Sequence, residues 1–426
     1  MATQLSRTFG SQGNQRKFTI SVWVKRSNLT AGQSFFGSGG SGNYATNMYF
    51  SGETIRFWNY FNGSYAGQKY SSAVFRDPSA WYHIVFRVDT TSATASERMR
   101  VYVNGEEISY ATSVNPSQNQ TMEIGHTGTH YIGGYGTGAQ AEMCMSHYHY
   151  CDGQSYAPTE FGEYDANGVW KIKLEPSVSY GVSGHFLFNN DASVTDQSGL
   201  GNNWSVNGGT LTQTEDNPSN VFCTWNPLQW TLDGPGNPPN TSFGNGNTSV
   251  LTSASSGDSS DVWGTLGADT GKFYHEVKMT NNPSDSGNTS MSVGWGNPET
   301  GQRITYYGSN GYKYTSSGSA AYGATFTQND IIGCAVDLTN GTIEFYKNGV
   351  SQGQITGEIT TNTGFWQPLS WDGSGSLTAS WDANFGNGYF GTTAVASAGT
   401  NASGIGIFEY DVPTGYTALS TKGLNL

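Results

Sequence analysis

Short runs in which every second residue is apolar set the pattern of this chain. In FTISVWVKR, Phe18, Ile20, Val22 and Val24 share one face, with Thr19, Ser21 and Lys25 opposite. In WYHIVFRVD, Tyr82, Ile84, Phe86 and Val88 alternate with Trp81, His83, Arg87 and Asp89. RMRVYVNGEEI places Met99, Val101 and Val103 on one side and then reaches Asn104-Gly105, the pair preferred where both residues of a hairpin turn need positive φ. The second half repeats the device. GKFYHEVKM sets Phe273, His275, Val277 and Met279 against Tyr274, Glu276 and Lys278, and DIIGCAVDLTNGTIEFYKNGVSQG carries turns at Asn340-Gly341 and Asn348-Gly349. The last twenty residues keep apolar spacing and are expected to pack back onto a sheet. The pattern predicts an all-β chain of two antiparallel β-sandwiches.

Between Trp204 and Val262 the alternation dissolves into Gly, Ser, Thr, Asn and Pro, most clearly over Gly234 to Asn247. The expected division is a first sandwich over 1–215, a Gly/Pro-rich linker with short strands over 216–262, and a second sandwich over 263–426. Composition agrees: of 426 residues 58 are Gly, aromatics reach 14% and charged residues only 12%, which excludes charge-driven disorder and long helices. No run of 18 apolar residues is present to span a membrane as a helix. The N-terminus lacks the apolar core of a signal peptide, so synthesis in a cytoplasm is expected. A net charge of −13 without basic stripes argues against nucleic acid as a partner. Cys144, Cys151, Cys223 and Cys334 are too few for a disulfide framework and are read as reduced, mostly buried thiols.

The ordered stretches FTISVWVKR, FRDPSAWYHIVFRVDTT and RMRVYVNGEEI resemble a laminin-G-like domain of the concanavalin-A-like jelly-roll superfamily. The continuation CDGQSYAPTEFGEYDANGVWKIK, DQSGLGNNWSVNG and DNPSNVFCTWNPL is similar to a subtype found among virion proteins of tailed phages, with Cys151 and Ile172 as departures from its pattern. GKFYHEVKM through SVGWG, DIIGCAVDLTNGTIEFYKNG and WDANFGNGYF resembles a SPRY domain. The resemblance implies two binding scaffolds on a phage particle, exposed at its surface. Its expected partners are other virion proteins and a host surface polysaccharide or protein, and it is expected to be a homo-oligomer.

Catalytic chemistry on a concanavalin-A-like scaffold needs paired carboxylates. Glu163-Tyr-Asp165 and Glu409-Tyr-Asp411 lack the further Glu of a glucanase strand and sit beside Gly or Pro, so they read as turn-capping carboxylates and no enzyme is expected. Cys144, His147, His149 and Cys151 form the strongest transition-metal candidate, but a strand would put Cys144 opposite the other three, and an ordinary sheet strand is the simpler reading. The laminin-G-like resemblance implies calcium as a possible cofactor, with Asp191, Asp196, Asn202 and Asn203 as its candidate ligands, against a plain Gly-Asn turn. Trp295 and Trp366 are read as core. Trp263, Trp371, Tyr306 and Tyr307 are the candidate ligand-binding aromatics, the tyrosine pair foremost because RITYYGSNGYKY is otherwise polar. The expected function is attachment of a tail or peripheral fibre to a host glycan. The alternatives are capsid decoration or fibre connection, and a carbohydrate-active hydrolase.

Overall fold

The structure, a computed structural model, describes residues 2–29, 32–136, 141–189, 192–229, 241–252, 260–281, 291–361, 363–372 and 378–426. It divides into two compact units, Met1–Gln213 and Thr214–Leu426. Helical structure among the described residues is confined to three single turns. Everything else that is regular is strand.

The first unit pairs an eight-stranded sheet with a six-stranded one. The larger sheet runs, in spatial order, Tyr110–Val114, Ser64–Ser71, Thr54–Phe61, Tyr44–Ser51, Gln33–Ser41, Thr129–Ile132, Gln4–Thr8 and Ser205–Gly208. The smaller runs His185–Leu187, Met143–Asp152, Lys17–Arg26, Trp81–Asp89, Met99–Val103 and Glu106–Glu107. Phe18, Ile20, Val22 and Val24 meet Ile84, Phe86, Val88, Met99 and Val101 from neighbouring strands and Phe36, Met48, Phe50, Ile55 and Phe57 from the facing sheet, all fully buried. At about 25 cal/mol per Å2 of apolar surface, this inner layer dominates the unit's stability.

The outer face of the smaller sheet is also covered. Trp23 stacks on His83 with ring centroids 4.9 Å apart, and Trp170 lies beside the imidazole edge, nearly coplanar with it, at 5.8 Å. The Trp170 Nε1–H donates to His83 Nδ1 at 3.0 Å, so His83 carries its proton on Nε2 and donates it to Ser21 Oγ at 2.8 Å. The Trp170 ring fits because Gly105 and Gly162 lie beneath it: a side chain at either would meet the ring at 2.6 Å.

The second unit pairs a second eight-stranded sheet with a second six-stranded one. The larger follows Thr241–Gly244, Ser249–Thr252, Ser380–Asn384, Lys272–Asn281, Ile331–Asp337, Thr342–Lys347 and Val350–Thr356, with Thr417–Ala418 parallel to Phe273–Tyr274. The smaller follows Ser260–Trp263, Gln367–Asp372, Met291–Asn297, Gln302–Tyr307, Tyr312–Thr315 and Gly318–Ala321. Phe273, His275, Val277 and Met279 point into the core, as the alternation predicts, together with Trp295 and Trp366. The C-terminal residues do return to a sheet: Phe408, Val412 and Ala418 pack on Tyr274 and Ala335.

The stretch 216–262 corrects the expected linker. Its described residues belong to the second unit: Cys223, Trp225, Val250 and Val262 lie in the core, and Trp225 N donates to Asn247 O at 2.8 Å. Gly and Pro punctuate this segment, but five buried apolar side chains, these four and Phe222, suffice to fold it into the sandwich. Residues 234–240 of the Gly/Pro-rich run lie outside the described residues.

Candidate functional site

The four candidate aromatics fall in different places. Tyr306 is a correction: it is 0% exposed, with its ring centroid 5.0 Å from Phe326 and 5.5 Å from Phe345, and its hydroxyl donates to the Ala324 carbonyl. Adjacent strand residues point to opposite faces, so a tyrosine pair cannot both face out. Trp263 is the second correction. It lies on the outer face of its sheet yet is only 3% exposed, because its ring settles over Gly296, where a side chain would meet it at 2.9 Å.

Tyr307 and Trp371 do share the outer face of the smaller sheet of the second unit, both half-buried. Their centroids are 5.5 Å apart and Tyr314 lies 4.7 Å from Tyr307. Ser292 between them pairs in register with both. On the same face Arg303 makes two hydrogen bonds of 3.1 Å to the Asp261 carboxylate. The result is a small aromatic patch beside a satisfied ion pair.

A larger aromatic surface, absent from the sequence reading, covers the outer face of the eight-stranded sheet of the first unit. Asn47, Trp58 and Gln68 pair across three strands, and the next row along is Tyr49, Arg56 and Tyr70. Trp58 is set edge-on to Tyr65 at 6.0 Å and to Tyr135 at 5.8 Å, and Tyr60 packs on Tyr65 at 5.1 Å. Tyr65 is 53% exposed, and the other rings are half-buried. In TIRFWNYF, Ile55 and Phe57 face the core while Arg56, Trp58 and Tyr60 face out. Both faces are aromatic, so the alternation that would have marked an exposed face is hidden.

The calcium candidates are held by one another. Asp196 accepts the N–H groups of Phe186 and Ser198 on one oxygen, and the Ser198 hydroxyl and Asn202 N–H on the other, all at 2.8–2.9 Å. Burial would raise its pKa, but the Phe186, Ser198 and Asn202 donors outweigh that and hold it below the usual carboxylate value. Asn203 accepts the Asp196 N–H at 2.9 Å, and Asn202 Oδ1 accepts from Arg7 at 2.6 Å. These oxygens face N–H and O–H donors, the arrangement of a hydrogen-bonded turn. Asp191 lies outside the described residues.

The Cys144–Cys151 strand carries a bulge at His147, which adopts φ 48°. The bulge resets the alternation, so Cys144 shares the outward side with His149 and Cys151, contrary to the expected opposition. His149 is spent on Phe186, stacked at 4.1 Å, and on the Tyr180 hydroxyl at 2.8 Å. Among the described residues no three His, Cys, Asp or Glu side chains converge as a metal site. None of the four cysteines is in a disulfide among the described residues. Of the paired carboxylates, Asp165 caps a turn through the Asn167 and Val169 N–H groups, both at 2.9 Å, and Asp411 accepts the Thr400 N–H and hydroxyl, both at 2.7 Å. Glu163 is exposed, and Glu409 accepts the Ala396 N–H at 2.7 Å. A cleft of about 660 Å3 between residues 12–16, 152–154 and 181–182 has Asp152 in its wall. That carboxylate already accepts the N–H groups of Asn14, Val182 and Ser183 at 2.6, 3.2 and 3.0 Å.

Residues 4–142 match the concanavalin A-like lectin/glucanases superfamily, and residues 272–369 match the SPRY domain. Ran-binding protein 9 of Xenopus tropicalis is 33% identical over 131 residues, which are 28% of this chain and 22% of that protein. Ran-binding protein 10 of Danio rerio is 33% identical over 127 residues, covering 27% of this chain and 20% of the relative. The chain thus spans about a fifth of the length of these relatives. Among solved structures, the SPRY domain of human HERC1 is 17% identical with a TM-score of 0.30, covering 37% of this chain and 96% of that one. A heptameric SAP-like pentraxin from Limulus polyphemus is 18% identical with a TM-score of 0.27, covering 37% and 72%. The chain therefore carries a concanavalin-A-like domain followed by a SPRY domain, both folds that serve as binding scaffolds.

Proposed function

We propose that this concanavalin-A-like and SPRY-domain chain is a non-enzymatic adhesin that binds a glycan on a host cell surface, as a tail or peripheral fibre component of a phage particle. The aromatic sheet face of Trp58, Tyr60, Tyr65 and Tyr135 carries the reading, with the half-buried Gln68 amide alongside. Faces of sugar rings present C–H groups that pack on aromatic rings, and amides beside those rings meet the sugar hydroxyls. The open sheet admits a polymer rather than enclosing a small molecule. Weak single sites gain strength when many copies on one particle engage together, so millimolar to micromolar affinity per copy suffices. The particle setting is supported by the ordered stretches from CDGQSYAPTEFGE through DNPSNVFCTWNPL, which resemble phage virion proteins.

The test is retention of the purified chain on host surface polysaccharide, compared with its Trp58→Ala variant. The reading expects wild-type retention and its loss in the variant, with the fold intact by circular dichroism. Equal retention of both, or of neither, refutes it. Antibody labelling of virions then distinguishes fibre tips from the capsid shell.

The Tyr307–Tyr314–Trp371 patch favours a second reading for the other unit: a protein contact, to another virion protein. Half-buried aromatics beside a charged pair are the usual anchors of a protein interface, and the relatives matched by part of this chain are named for binding the protein Ran. Tyr307→Ala is expected to weaken such a contact without changing glycan retention.

A further inference from the structure

We infer that the glycan taken by the sheet face of the first unit is acidic, a polymer whose sugars carry carboxylates, and that Arg56 reads that charge. The inference rests on the glycan reading of the same face and adds its chemical class.

The carrying observation is an arginine with nothing to hold. Arg56 points outward between Tyr49 and Tyr70, its guanidinium 4.9 Å from the centre of the Tyr70 ring. Among the described residues no carboxylate, carbonyl or hydroxyl accepts from it, and its Nε is closed to solvent without a partner. The other buried and half-buried arginines of the unit are engaged. Arg26 donates to the carbonyls of Phe75, Asn28 and Gly52, Arg98 to those of Ser92, Pro116 and Ala93, and Arg87 to Ser155 Oγ. Arg100 is paired with Glu97.

Charge on this face points the same way. The chain carries a net −13, which repels an anionic polymer from most of its surface. Yet the outward positions of the central strands are Asn47, Tyr49, Trp58, Tyr60, Gln68, Tyr70 and Arg56, with one cation and no carboxylate among them. A planar guanidinium fixed on an aromatic ring matches a carboxylate through two parallel N–H donors. Along one strand Arg56 and Trp58 stand two residues apart, about 7 Å. A sugar stacked on Trp58 therefore brings its own or its neighbour's carboxylate to Arg56. Gln68 already donates to the Tyr70 hydroxyl at 2.8 Å, which steadies the ring beneath the guanidinium. A neutral sugar would leave Arg56 unpaired, and a polyanion such as nucleic acid would find one cation where it needs many.

The experiment measures retention of the full chain on immobilised polygalacturonate, alginate and hyaluronate, with methyl-esterified polygalacturonate and dextran as the neutral counterparts. The wild type is expected to prefer the acids, at least tenfold for polygalacturonate over its ester, and to lose that preference between 50 and 500 mM salt. Arg56→Gln should remove the preference, bringing retention on polygalacturonate down to that on its ester, while Arg56→Lys restores part of it. Trp58→Ala should abolish retention on all. Equal binding to acid and ester, unchanged in Arg56→Gln, overturns the acidic class and leaves the glycan reading standing. No retention on any polymer, or full retention by Trp58→Ala, overturns both.

Discussion

Replacing Asp196 by alanine removes the acceptor of four donors at once. The Phe186, Ser198 and Asn202 N–H groups and the Ser198 hydroxyl all end on this carboxylate, which is 8% exposed. Each buried donor left without an acceptor costs about 1–3 kcal/mol, and water entering beside the exposed Gly199 and Leu200 recovers some of that. A net loss of about 3–5 kcal/mol follows, a large fraction of a typical domain's 5–15 kcal/mol. For a unit of this size each kcal/mol moves the midpoint by about 2–4 °C, so differential scanning calorimetry should show the first unit melting about 6–20 °C lower. Because the folded pKa of Asp196 lies below its unfolded value, this contribution is complete above the unfolded pKa and is lost as pH falls through the folded one. Chelator provides the discriminating arm. A hydrogen-bonded turn predicts the same wild-type midpoint with and without EDTA. A drop of less than about 1 kcal/mol in the variant, or an EDTA effect as large as the substitution, would refute the reasoning and return Asp196 to the calcium ligands.

The two units should respond to acid with different slopes. Burial holds His83, His130 and His185 down to about 3 and His147 to about 4, so the unfolded first unit takes up protons below about pH 6.5 that the folded one refuses. Each such histidine costs about 1.4 kcal/mol per pH unit over that window, and urea titrations at pH 7.5 and 5.5 should show the first unit losing several kcal/mol; no loss would mean these rings are not neutral and buried. In the second unit His275 acts likewise, but burial raises Glu276 to about 7 against the Glu409 and Tyr410 N–H groups, the Tyr274 hydroxyl and the Asn384 amide, so that contribution is present below about 4.5 and fades as pH rises through 7. The acid slope of the second unit should accordingly be shallower. Tyr306→Phe strands the Ala324 carbonyl and should cost about 1–2 kcal/mol without touching binding, whereas Tyr307→Ala should do the reverse; equal behaviour would contradict their placement on opposite faces.

Much of the architecture was legible because the inner faces are strictly alternating: Phe18, Ile20, Val22 and Val24, or Phe273, His275, Val277 and Met279, declare a strand and its buried side together. Asn-Gly pairs marked hairpins for the same reason, since Asn104 and Asn348 both take positive φ before their glycines. The signal failed wherever a second layer intervened. Trp263 looks like a surface aromatic until Gly296, 33 positions on, is seen to accept its ring. His147 breaks the alternation of its strand through a bulge that no local composition announces. The stretch 216–262 reads as a linker because polar turn residues outnumber its five core side chains. The candidate glycan face was the most deeply hidden, since Arg56, Trp58 and Tyr60 alternate with Ile55, Phe57 and a buried Asn59, and only the tertiary fold tells the two sides apart.

Hydroxyl-radical footprinting of the full chain with and without a saturating retained polysaccharide tests the central claim most directly, because it reports on individual aromatic side chains in solution. The account predicts protection of Trp58, Tyr60, Tyr65 and Tyr135 in the first unit, with Tyr307 and Trp371 unchanged. Protection confined to Tyr307 and Trp371, or an unaltered pattern at Trp58, would contradict it.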